Sequence, residues 1–132
     1  MNMFRQPLNL LCIFVSLGLI SGCQTAKTSP TVVEHNGVPL PNIVTLQQDF
    51  LSQPDAAARY LRLSELEAQA LALLTDEPLR LGSVGSAILE IYPASYTGHF
   101  VLEKFYRDLE SSEAQQLHAT WLRHIRKTTI GD

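Results

Sequence analysis

The apolar residues of this chain fall into three regimes. From Leu8 to Ile20 they run almost unbroken, through Leu10, Leu11, Ile13, Phe14, Val15, Leu17 and Leu19. From Gln24 to about Pro41 they keep no period, scattered among Thr, Ser, Gly and Pro. From Asn42 they recur every three or four residues, the spacing of one helix face. Ile43, Leu46 and Phe50 predict a first helix. Gln53-Pro54 interrupts it, because a residue before proline is pushed out of the α region. Asp55 to about Leu61 predicts a further turn or two with Ala57 and Leu61 inward. Ser64-Glu65-Leu66-Glu67 has the spacing of a capping box. The helix it predicts carries Leu66, Ala70, Leu73 and Leu74 on one face and ends at Asp76 to Pro78.

Three more helices follow. Ser83 to about Tyr92 carries Val84, Ile88 and Ile91, and Pro93 stops it. A helix capped by Thr97 carries Val101, Phe105 and Leu109. Ser112 with Gln115 predicts a second capping box. The last helix, from about Glu113 to Lys127, spaces Leu117, Trp121 and Ile125 by four. Strand alternation is weak throughout. Val32 and Val33 suggest at most a short strand, which Gly37 and the nearby prolines discourage from extending. The fold class expected for residues 42–132 is therefore all-α, a small helical bundle or helical-hairpin domain. Its predicted centre is Trp121, Phe105, Leu117, Leu74 and Ile88. A domain near 90 residues buries only about 60 to 65% of its unfolded surface, so its core is modest.

Residues 1–22 do not belong to that fold. Met1 to Gln6 is polar and carries Arg5, the apolar run from Leu8 to Ile20 follows, and Ser21-Gly22 are small. These are the three parts of a secretory signal. The apolar run is shorter than the ~20 residues needed to cross a bilayer as a helix. Ile20-Ser21-Gly22-Cys23 resembles the bacterial lipobox. That resemblance implies cleavage before Cys23, diacylglycerol on its sulfur and a third acyl chain on the new amine. Gln24 rather than Asp after the cysteine is similar to lipoproteins released to the outer membrane, anchored there and facing the periplasm. One acyl chain anchors only marginally, and several make release very slow.

Cys12 would leave with the signal, and an acylated Cys23 forms no disulfide. The remaining chain therefore has no internal disulfide and no cysteine metal site. The formal charge is -3, and loss of Arg5 leaves 9 Lys+Arg against 13 Asp+Glu. An acidic balance argues against a general nucleic-acid binder, which needs a concentrated basic face. Residues 23–41 read as a lipidated cysteine and a flexible linker, spanning roughly 25 Å on average.

The helix openings predicted at Ser64 and Thr97 are set apart by nearly the same step as the second helices. Those align Ala87 with Trp121, Ile88 with Leu122 and Ile91 with Ile125. A step of about 34 residues, with Leu81-Gly82 and Gly98…Phe105-Tyr106, resembles tetratricopeptide and Sel1-like helical hairpins. The resemblance covers Ser64 to Lys127. It departs from the family in lacking most of the small residues needed where paired helices touch.

Several segments are candidates for chemistry. Tyr92-Pro93-Ala94-Ser95-Tyr96-Thr97-Gly98-His99-Phe100 is the densest aromatic cluster and spans a helix junction. Tyr92, Tyr96, His99 and Phe100 are its candidate partner-binding residues, set against a role as core cover. His99 and Glu103 share a helix face at i, i+4, but a metal site needs three or four ligands. His118 and His124, six apart, do not share one. Gly82-Ser83-Val84-Gly85-Ser86 lacks the lysine of a P-loop, and close helix packing accounts for it better. Arg123, Arg126 and Lys127 suit the end of a helix dipole, or alternatively lipid phosphates. No metal or cofactor is expected.

No nucleophile–base–orienter spacing, His-Glu-x-x-His pattern or nucleophile elbow appears. The sequence leans away from an enzyme, although a triad assembled in space would leave no such mark. The function expected is a lipid-anchored periplasmic interaction or adaptor module. Its partners would be membrane lipid, through acylated Cys23, and another cell-envelope protein. The alternatives are a small cell-envelope hydrolase or cell-wall-binding protein, or an N-terminal fragment of a longer helical-repeat lipoprotein.

Overall fold

The computed structural model describes residues 32–130. The expected signal, Cys23 and residues 24–31 of the linker lie outside them. The described chain opens with a two-stranded antiparallel hairpin, β1 (Glu34–His35) and β2 (Val38–Pro39), inside the stretch expected to be linker. His35 pairs with Val38, and Asn36 and Gly37 sit between them at φ 51° and 76°. Positive φ at both central residues is the requirement of a type I′ turn, for which Asn-Gly is the favoured pair. The Leu40 amide closes the hairpin onto the Val33 carbonyl at 2.8 Å.

Five α-helices follow: α1 (Ile43–Leu51), α2 (Ala56–Asp76), α3 (Leu81–Ile91), α4 (Tyr96–Asp108) and α5 (Ser112–Ile130). A single 3₁₀ turn, Pro78–Arg80, joins α2 to α3. The domain is a helical bundle, as the apolar spacing predicts. Asn42 caps α1, its side-chain oxygen accepting from the Val44 and Thr45 amides at 2.9 and 3.2 Å. Each helix from α2 to α5 packs against the next, and α2 also reaches α4.

The helix at Ser64 does not start there. Ala56 to Leu63 and the following segment are one continuous helix of 21 residues, and Ser64 is exposed within it. The Ala56-Ala57-Ala58 run propagates helix readily. Glu67 is not free to close a capping box, because its carboxylate accepts from the Ser95 hydroxyl at 2.6 Å. A continuous α2 fixes one inward stripe, Leu63, Leu66, Ala70 and Leu73, and leaves Ala57 and Leu61 exposed. The first helices of the expected two-helix units thus open at Ala56 and Tyr96, a longer step than the one from Ser64 to Thr97. At the last helix, Gln115 likewise does not reach back to Ser112; its amide donates to Glu103 on α4 at 2.8 Å.

Two apolar clusters hold the bundle. The larger joins Phe50 of α1, Leu63, Leu66, Ala70 and Leu73 of α2, Leu81, Val84 and Ile88 of α3, and Val101 of α4. The smaller joins Ile43, Ala94 and Ile125, with Leu46 and Trp121 packed against it. Tyr92 packs against both. Ile88 is fully buried as expected, whereas Trp121, Phe105, Leu117 and Leu74 are half-buried and Leu109 is exposed. Small residues are present where α3 meets α4. A Cβ at Gly85 would fall 2.7 Å from Leu102 and 2.9 Å from Val101, and one at Gly98 would fall 2.6 Å from Leu89. The glycines of Gly82 to Ser86 therefore serve close helix packing.

Candidate functional site

The α3–α4 junction is built by local chemistry first. Pro93 cannot continue α3, and Ser95 caps α4, its hydroxyl accepting from the Gly98 amide at 3.0 Å. The same hydroxyl donates to Glu67 of α2. Arg59, also on α2, donates to the Ile91 carbonyl at 2.8 Å. The junction is thus fastened to α2 on one side. On the other side it is fastened to α5, through a histidine pair.

His99 is buried, 3% exposed. Its Nε2 lies 2.9 Å from the Pro93 carbonyl and its Nδ1 lies 2.9 Å from Nδ1 of His118 on α5. A carbonyl oxygen only accepts, so His99 Nε2 carries a hydrogen. With His99 neutral, its Nδ1 then accepts and His118 Nδ1 donates. Burial pushes the His99 imidazole down to about 4, against the support of the Pro93 carbonyl and with the His118 charge adding to the depression. Burial also lowers His118, opposed by the Glu103 carboxylate. Both rings are held neutral and flanked by aromatic faces. Trp121 stacks on His99 at 4.7 Å between centroids, and Tyr106 stacks on His118 at 5.6 Å.

The four aromatic candidates separate accordingly. His99 faces the interior, because its two polar atoms are already used there, so it is not available to a partner. Tyr92 is half-buried, its ring 5.1 Å from Phe50. Tyr96 and Phe100 face outward, 43% and 37% exposed, and stack nearly parallel at 6.4 Å. Arg126 of α5 donates to the Tyr96 hydroxyl at 3.2 Å. The fold therefore joins two features that stand far apart in the sequence, the aromatic junction and the basic end of α5. A hollow of about 320 Å³ between them is lined by Tyr96, Ile125, Arg126, Thr129 and Ile130. A neighbouring hollow of about 350 Å³ is lined by Arg123, Arg126, Lys127 and Ile130. None of this contact was visible in the separate motifs, since only the antiparallel packing of α4 on α5 creates it.

A second opening lies at the other end of α5. The hairpin covers its first turns, leaving a largely apolar cleft of about 490 Å³ bounded by Val38, Leu40, Ala114 and Leu117. The Asn36-Gly37 pair was the signal that could have predicted this hairpin. His124 belongs to neither opening; its Nε2 meets the Pro41 carbonyl at 3.0 Å.

Among the described residues no cluster of three or more His, Cys, Asp or Glu side chains could hold a metal ion. Glu103, the i+4 neighbour of His99, pairs with Arg107 at 3.4 Å and with Gln115 instead. Among the described residues no hydroxyl hydrogen-bonds a histidine nitrogen. No described helix is long and apolar enough to cross a membrane. Comparison with known proteins finds no matching family model, no similar curated protein and no similar solved structure.

Proposed function

We propose that this chain is a lipid-tethered helical interaction module of the bacterial envelope, anchored through Cys23 and working by surface contact. The lipobox-like Ile20-Ser21-Gly22-Cys23 segment supports the anchor. The observation that carries the contact reading is the Tyr96–Phe100 shelf beside Arg126. Exposed, stacked aromatic rings next to an arginine supply contact area at low entropic cost, a composition common at recognition surfaces. The histidine pair beneath is consistent with a support, because the Pro93 carbonyl accepts from His99 Nε2 and the two Nδ1 atoms engage each other. The stacked tetratricopeptide-like arrangement is a reading within this proposal. It draws on the order of helix contacts and on the glycines at the α3–α4 approach, not on a strict sequence period.

Fractionation of cells expressing the full chain tests the anchor. The wild-type protein should sediment with the outer membrane and lack Met1 to Gly22 by intact mass, while Cys23→Ala should be found in the soluble fraction. Wild-type and Cys23→Ala protein that fractionate alike would refute the anchor. Capture from detergent-solubilised membranes, with Tyr96→Ala/Phe100→Ala as control, tests the face. Identical recovery by both proteins would remove these rings from the working surface.

A further inference from the structure

The last two turns of α5 carry Arg123, Arg126 and Lys127, and none of them makes an ion pair among the described residues. The four pairs present there use Arg62, Arg80, Lys104 and Arg107. Arg123 donates to the Thr120 hydroxyl at 2.9 Å and Arg126 to that of Tyr96. Both acceptors are neutral, so among the described residues no carboxylate compensates this charge. Residues 114–130 contain no carboxylate, although the chain as a whole carries -3. Among the described residues the fold therefore gathers positive charge without an ion-pair partner at one end and leaves the carboxylates elsewhere. Apolar groups stand beside it. Ile130 is 72% exposed, and Tyr96 borders the same hollow. Protruding apolar side chains ringed by cations are what an interface between headgroups and acyl chains accepts.

We propose that this end of α5 seats the domain on an anionic phospholipid surface. Arg123, Arg126 and Lys127 meet headgroup phosphates, and Ile130 and Tyr96 enter the boundary beneath them. The choice of lipid rests on the tethered reading above. From Cys23 to Val33 the chain spans at most about 35 Å when fully extended, so an acylated chain keeps the domain beside the bilayer at all times. An acidic protein would meet the same charges, but the anchor holds the bilayer itself within this reach. A tethered domain needs only weak contacts, because the anchor supplies the local concentration. Three cations near an anionic surface should raise the docked-to-undocked ratio on the order of a hundredfold at low salt. The acidic remainder of the domain is then turned away from the lipid, which fixes its orientation.

The acylated full chain, carrying a polarity-sensitive dye on Thr128→Cys, is reconstituted into vesicles. One set is phosphatidylcholine alone and the other contains added phosphatidylglycerol. The dye emission should shift to the blue in the anionic vesicles only and return on adding salt. R126E/K127E should abolish the shift, and Ile130→Ser should weaken it while leaving the salt dependence. Circular dichroism confirms that each variant is folded, and the salt titration of the parent protein gives the same test if one is not. Equal emission in both vesicle types, or a shift that survives charge reversal, would overturn the proposal. So would a dye that responds only to a captured protein. Flotation with the vesicles at high salt reads the anchor separately. A chain that fails to float defeats the tethered reading, whereas one that floats with an unshifted dye defeats the docking alone.

Discussion

His99 keeps its place through two hydrogen bonds, and the one it accepts at Nδ1 requires that nitrogen to be unprotonated, which makes this residue a source of pH dependence. Its value in the fold is about 4 against an ordinary 6.5. Between those values the unfolded chain binds the proton and the folded one does not, so stability must fall as pH drops from 6.5 toward 4. Above 6.5 the stabilisation is fully present. A displacement of this size corresponds to about 3 kcal/mol over the whole window. Thermal unfolding should show a declining melting temperature from pH 6.5 to 5, and His99→Gln should flatten that decline. Parallel pH profiles for the two proteins would show that His99 is not its origin. The sequence presents His99 as a member of the aromatic junction and as an i, i+4 neighbour of Glu103. Its true partner is 19 residues away on another helix, and no local period encodes such a contact. The same holds for Arg126 and Tyr96.

At the scale of elements, apolar spacing located the helices because burial of one stripe is what stabilises each of them, although it divided α2 in two. Ends were less legible, since they depend on where polar side chains find partners. Ser64 and Glu67 have capping-box spacing, but Glu67 is claimed by Ser95. Thr97 was expected to cap α4, and Ser95 does so, its oxygen lying closer to the stop at Pro93. The α4–α5 turn is set by Glu110, which adopts φ 57°. Its amide bonds the Arg107 carbonyl at 3.0 Å and that of Ser111 bonds Tyr106 at 2.9 Å, the two bonds of a Schellman motif. Glycine is favoured at that left-handed position, so Glu110→Gly should stabilise the domain by about 0.5 to 1 kcal/mol in denaturant melts. A lower midpoint would show that the Glu110 side chain contributes more than its backbone strain costs. The opposite sign is expected where α3 approaches α4. Gly85→Ala gains helix propensity of about 1 kcal/mol but forces a methyl onto Leu102 and Val101, an overpacking worth about 1 to 3 kcal/mol. Net destabilisation measured by urea unfolding is the outcome predicted, and a neutral result would mean the helices separate at little cost.

Across the whole molecule, Tyr92 is where the two apolar clusters meet. The larger cluster holds α1 to α4 together, while the smaller one ties α5 back to Ile43 and Ala94. The basic side chains of that face and the tryptophan both belong to α5, so the rigidity of the proposed docking face depends on the smaller cluster. Tyr92 is the side chain packed against both clusters, and it adds to the α4–α5 contacts in letting the smaller share the stability of the larger. Trp121 is the sole tryptophan and packs on the smaller cluster, so its fluorescence reports α5, whereas far-UV circular dichroism reports all five helices. In the wild-type protein the two signals should unfold together, as expected of a small single domain. Tyr92→Ala removes a half-buried ring, a loss of about 2 kcal/mol, and should also separate the signals, with fluorescence changing first. Coincident transitions in the variant would mean that the contacts of α4 with α5, among them His99 with His118, Glu103 with Gln115 and Tyr96 with Arg126, are enough to keep α5 folded with the rest.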